Sequence, residues 1–177
     1  MKKHGVLWWL FIGWYWVPLK WLFKKIFEGL FNGSAPKNIT FEVAGMSYYP
    51  DSVNALIKEL RKSTPPEKRW SGYTDKAILR IGDYRRHYEI PYQEHIEGCE
   101  LVREPQNKHD PNAVKVIINN LHVGYVPADI AKQVGEMIRR KPTITWIITG
   151  GRYKQLDSDT NEVLTMSANY YIKIIIN

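Results

Sequence analysis

The chain is poor in cysteine: Cys99 is the only one in 177 residues. One thiol forms no internal disulfide and supplies no multi-cysteine zinc site. That fits a reducing compartment. A Walker A pattern is also missing, so nothing here marks a nucleotide-driven motor. The sequence has no internal repeat and no low-complexity tract. No catalytic set stands out. Cys99 sits in an expected strand with nothing nearby to activate it. His87, His95, His109 and His122 lack metal-ligand spacing. Glu94, Glu97 and Glu100 read as a charged face. No cofactor and no metal is expected, and the chain reads as a binding module rather than an enzyme.

Charge is present, but unevenly. The net charge is +7. Residues 1–40 carry +5 of it and residues 41–177 only +2. Local patches must therefore carry any argument for a polyanionic partner. Residues 58–86 hold nine basic and four acidic side chains. Arg139, Arg140, Lys141, Arg152 and Lys154 form a second cluster, with no acid between 139 and 154. Arg61, Lys62, Arg85, Arg86, Arg139, Arg140, Lys141, Arg152 and Lys154 are the candidate phosphate contacts. The bland alternative for each cluster is a solvated face.

The longest hydrophobic run lies at the N-terminus. Residues 5–19 are uncharged, and extending to Phe23 gives 19 residues. A spanning helix needs about 20 apolar residues, with a lower limit near 17. Trp8, Trp9, Trp14, Trp16 and Trp21 suit the lipid–water boundary. Lys20, Lys24 and Lys25 follow closely. A transmembrane anchor, an interfacial helix and a cleaved signal peptide all compete for this run. The leading expectation is a membrane-associated chain anchored through residues 5–23. The lysine count leans toward a cytoplasmic globular domain. Residues 1–38 then form anchor and linker, and residues 39–177 the domain.

Within that domain, residues 39–46 read as a strand. Val53, Leu56, Ile57 and Leu60 recur at helical spacing after Pro50-Asp51-Ser52, with Asp51 or Ser52 as the expected cap. Residues 63–97 read as a polar, basic insertion with short strands at 77–81 and 87–91. Residues 99–103 and 112–118 are clearer strands. Asn119-Asn120 between two apolar runs predicts a hairpin, because asparagine tolerates positive φ. Ile130, Val134, Met137 and Ile138 mark a second helix, ending in Arg139-Arg140-Lys141. Residues 143–149 and 168–176 are β-branched and aromatic, joined by a loop at 157–162. The fold class expected is mainly β (α+β): a small OB/SH3-like, partly open β-barrel with two accessory helices, preceded by an N-terminal hydrophobic helix.

Three blocks carry a family resemblance. The run Arg103-Glu104-Pro105-Gln106-Asn107-Lys108-His109-Asp110-Pro111-Asn112-Ala113-Val114-Lys115-Val116 resembles the HIRAN domain signature. Gly124-Tyr125-Val126-Pro127 resembles its next part. Val43-Ala44-Gly45-Met46-Ser47-Tyr48-Tyr49 is similar to its first strand and aromatic pair. The resemblance implies an OB-like barrel that binds single-stranded DNA at a free 3′ end, in DNA repair or a mobile element. It further implies a helicase, nuclease or other protein as a candidate partner.

By that resemblance, Tyr48 and Tyr49 contact terminal bases. Asn107 holds the strand end, and Asp110 accepts a hydrogen bond from the 3′-hydroxyl. Ser47 stands where the best-known members have arginine, and His109 where they often have tyrosine. The segment 62–97 is longer than theirs. The residues themselves leave alternatives open. One of two consecutive tyrosines on a strand points inward. Asn107 and Asp110-Pro111 are ordinary turn formers. A membrane-anchored protein-interaction module with the same barrel is the competing function.

Overall fold

The computed structural model describes residues 38–177. The hydrophobic run and its expected helix lie outside the described residues. Among the described residues, no helix is long and apolar enough to cross a membrane.

Two antiparallel sheets build the domain. The first has the order β1-β7-β6-β2 and the second β3-β4-β5. Strand β1 (Ile39–Glu42) pairs with the end of β7 (Val163–Ile176), with Ile39 opposite Ile176. Strand β6 (Ile144–Leu156) forms a long hairpin with β7. The short β2 (His87–Tyr88) adds to the outer edge of β6. Strands β3 (Cys99–Arg103), β4 (Val114–Ile118) and β5 (Leu121–Tyr125) make a meander.

Three α-helices accompany the sheets: α1 (Pro50–Ser63), α2 (Asp75–Ile81) and α3 (Ala128–Met137). Val53, Leu56, Ile57 and Leu60 of α1 are all buried. They join Val114, Val116, Ile118, Val123, Val134, Trp146, Ile172, Ile174 and Ile176 in one core. Fully burying a side chain of this kind contributes roughly 1.5–3 kcal/mol. The alternating burial of β4 shows the period of two that strands impose.

Several expectations need correction. The sheets do not close into a barrel. They stay separate and touch through isolated bridges, Ala44 with Tyr125 and His95 with Trp146. There are three α-helices among the described residues, not two. The third is residues 75–81, read as a strand at 77–81 but helical in the fold. Its ends explain why. Thr74 Oγ1 accepts from the Ala77 N–H, and Gly82 closes the helix in the left-handed region. The expected strand at 87–91 shrinks to His87–Tyr88. Helix α1 starts at Pro50, so Asp51 and Ser52 fall inside it rather than capping it. The Asn119-Asn120 turn forms as expected, with φ of 49° and 64°.

Candidate functional site

A groove of about 680 Å³ opens where the start of α1, the β3–β4 loop and the start of α3 meet. Its lining includes Tyr48, Tyr49, Asn107, His109, Asp110 and Tyr125. Five of the six residues carried over by the resemblance therefore share one depression. Ser47 is the exception. It lines a neighbouring hollow on the far side of the same turn.

The turn explains how consecutive tyrosines serve one groove. The chain leaves β1 and enters a 3-10 turn, Met46–Tyr48, through Gly45 at φ 73°. A positive φ is nearly free for glycine and costly for most residues. Tyr48 ends the 3-10 turn and Tyr49 joins it to α1, so neither lies in a strand. Tyr48 is 84% exposed. Its ring is a free π surface. Tyr49 instead packs into the wall. Its ring centroid lies 4.1 Å from His122 and 6.1 Å from Tyr125.

The opposite lip is the loop between β3 and β4, and Asn107 organises it. The Asn107 Oδ1 accepts from the His109 N–H at 2.9 Å and the Asp110 N–H at 3.2 Å. Its Nδ2 donates to Glu104 Oε2 at 2.8 Å. Three of its four hydrogen-bonding positions are spent inside the loop, leaving one N–H. Asp110 Oδ1 accepts from the Asn112 N–H at 2.8 Å, a turn bond. Among the described residues, its second carboxylate oxygen has no hydrogen-bond donor. That oxygen is an acceptor on the groove wall.

Glu104 ties the loop to the groove floor. Its carboxylate accepts from Tyr125 Oη at 2.9 Å and meets Lys115 Nζ at 2.6 Å. The hydrogen bonds from Lys115 and then Asn107 lower its pKa to about 2. The Tyr125 hydroxyl is shifted the other way, upward, first by burial and then by its bonds to Tyr49 and Glu104. It stays a neutral donor. His122 is pushed down, mainly by burial, which favours a neutral ring beside Tyr49.

Tyr125 was legible only as part of a motif, not as a lining residue. Its placement comes from a close approach between sheets. The Ala44 N–H donates to the Tyr125 carbonyl at 2.8 Å, and the Tyr125 N–H returns the bond at 2.9 Å. Gly124 makes room: a Cβ there would collide with the Ala44 carbonyl oxygen and Val43.

Among the described residues, no lysine or arginine lines the groove. Arg61 pairs with Glu89 at 2.9 Å, Arg85 with Asp83 at 2.8 Å, and Lys154 with Asp75 at 2.7 Å. Arg152 reaches Glu89 at 3.5 Å. Arg86 lies 4.8 Å from the Tyr153 ring centroid. Lys62, Arg139, Arg140 and Lys141 are exposed. The last three follow α3, about 16 Å along the helix from groove-lining Ala128 at 1.5 Å per residue. None of the expected phosphate contacts is among the residues that line the groove. Cys99 is no substitute nucleophile, since burial pushes its thiol up to about 12.

Residues 82–155 match the family model of the HIRAN domain. The matched span includes the loop and Tyr125 but not Tyr48 and Tyr49. Among solved structures, the crystal structure of the HIRAN domain of human HLTF is similar at 14% identity and a TM-score of 0.32. The match covers 79% of this chain and 76% of that one. No curated protein matches the chain.

Proposed function

We propose that this chain is a membrane-tethered, HIRAN-like module that binds single-stranded DNA at a free 3′ end. The carrying observation is the convergence of Tyr48, Tyr49, Tyr125, His109 and Asp110 on one groove. An exposed ring stacks on any base, and such stacking contributes about 1–3 kcal/mol per base. The free oxygen of Asp110 is the end-reading group. A carboxylate repels an internal or terminal phosphate but accepts a hydrogen bond from a hydroxyl. The single remaining Asn107 N–H adds one donor. Residues 5–23 supply the tether by their length and tryptophan content, with the domain on the cytoplasmic side. The activity is binding, not turnover. A helicase or nuclease acting on the same end is the partner class.

The test is fluorescence anisotropy on the full chain in mild detergent, with short oligonucleotides ending in 3′-hydroxyl or 3′-phosphate. The hydroxyl end should bind at least about tenfold tighter, a difference near 1.4 kcal/mol. Asp110→Asn should narrow that ratio. The substitution keeps the turn acceptor for Asn112 and removes the charge. Equal affinity for the two ends would overturn the assignment.

One observation favours a second reading. A groove walled by tyrosines and, among the described residues, lined by no lysine or arginine also suits an extended peptide. Under that reading the chain is a membrane-anchored protein-interaction module, and neither oligonucleotide binds.

A further inference from the structure

We propose that the segment between α1 and β3, together with Arg61 of α1 and Arg152 and Lys154 of β6, builds a second, cationic subsite that holds phosphates of the same strand upstream of the groove. This rests on the reading of the groove as a 3′-end pocket and extends its footprint.

Neighbouring residues lead step by step from one site toward the other. The 3-10 turn Met46–Tyr48 divides the groove from the hollow of about 450 Å³ on its far side. Ser47, Asn54, Asn169, Tyr170 and Tyr171 line that hollow alongside apolar residues such as Val43 and Val53. Tyr171 is exposed. The Tyr170 hydroxyl accepts from Arg61 Nη2 at 3.2 Å. Arg61 meets Glu89, and Glu89 meets Arg152. Arg152 and Lys154, two apart on β6, share a face and both lie over the Trp70 ring, at 5.6 and 4.8 Å. From Thr149, which pairs with Tyr171, to Arg152 is about 10 Å along β6.

The charge is in surplus. Arg61, Arg69, Arg152 and Lys154 face only Glu89 and Asp75. Arg69 Nη2 donates to the Arg61 carbonyl, while its buried Nε has no partner among the described residues. Buried donors are normally paired, so an orphan one calls for a ligand or a functional reason. The backbone adds a second sign. Trp70 and the next residue, Ser71, both hold positive φ of 57°. Side chains held this way cost of order 1–3 kcal/mol each, and such strain gathers at binding sites. Here it sets the Trp70 ring under two cations. An Arg–aromatic plane beside a cationic track is the chemistry that receives a single strand.

The experiment compares oligothymidylates of about two and about ten nucleotides, both with 3′-hydroxyl ends, on the full chain. Wild type should bind the longer one about tenfold tighter, as one added stacked base or a pair of phosphate contacts supplies. Its log Kd should also rise more steeply with log salt, by about 1.4 for two neutralised phosphates. The double variant Arg152→Gln, Lys154→Gln should lose this length gain and keep the affinity for the short strand. Equal wild-type affinity and salt slope for both lengths would sink the second subsite and leave the end pocket standing. A double variant that keeps the length gain would sink it too. Failure of both strands to bind would overturn the end pocket and the subsite together.

Discussion

The β3–β4 loop and the α1–β3 segment use similar residue types to opposite ends. In the loop, Glu104, Asn107 and Asp110 spend their polar atoms on neighbouring N–H groups and on Lys115 and Tyr125. The result is a shaped lip with one free acceptor, whose lysine, Lys108, is exposed and is not among the groove-lining residues. Around the longer segment, Arg61 of α1 and Arg152 and Lys154 of β6 reach its acids and its Trp70 ring, while Arg85 stays with Asp83 beside it. The result is a charged skin over β6. Short-range hydrogen bonds fix a geometry. Long-range ion pairs spread charge and fix position less tightly.

The strongest break in this contrast should come from Asn107→Ala. It removes three hydrogen bonds, each contributing about 1 kcal/mol, and leaves the loop N–H groups unmatched. Chemical denaturation should show a loss of about 3 kcal/mol, with DNA binding lost as the lip opens.

Tyr48→Ala should do the reverse. Removing so exposed a ring leaves stability unchanged, yet binding should weaken by about 1–3 kcal/mol in a titration. A drop in both would mean that the ring supports the fold.

Glu104 sharpens the contrast through pH. Its carboxyl falls from 4.5 to about 2 on folding. The folded state therefore binds fewer protons than the unfolded one in this range. The stability it contributes is full above about pH 4.5 and is lost as pH falls toward 2. Acid titration followed by tyrosine fluorescence should show this loss, and Glu104→Gln should flatten it.

The smallest effect is expected on the other side of the comparison. Arg85 is highly exposed and bonded only to Asp83 two residues away. Arg85→Ala should leave the melting temperature where it was, by calorimetry. A clear fall would mean that ion pairs brace the segment as firmly as hydrogen bonds brace the loop.

How far the sequence speaks for itself varies by element. The stripe of α1 was legible because four apolar residues at helical spacing admit one reading, and the Asn119-Asn120 turn because few residues accept positive φ. Helix α2 was misread, although Thr74, Asp75 and Gly82 are cap signals. Its apolar residues were too few to show a period. The barrel was misjudged because strand count does not fix closure. Which strands pair depends on long-range register, and here Gly124 and the β6 bulge near Gly151 decide it. In the groove, Asn107, His109 and Asp110 were found through their motif. The division of labour between them was not. It depends on which N–H each oxygen meets, and spacing alone does not say. The outward placement of Ser47 also follows from the turn rather than from its neighbours.

The paired amide bonds between Ala44 and Tyr125 join the chain just after β1 to the end of β5 at the groove itself. One lip is the turn that follows β1 and the other the loop between β3 and β4, so this bond pair spaces the two. On the proposed reading, a mouth held by that bond pair should admit one unpaired base and exclude the blunt end of a duplex, which a blunt-ended duplex competitor in the same binding assay would check.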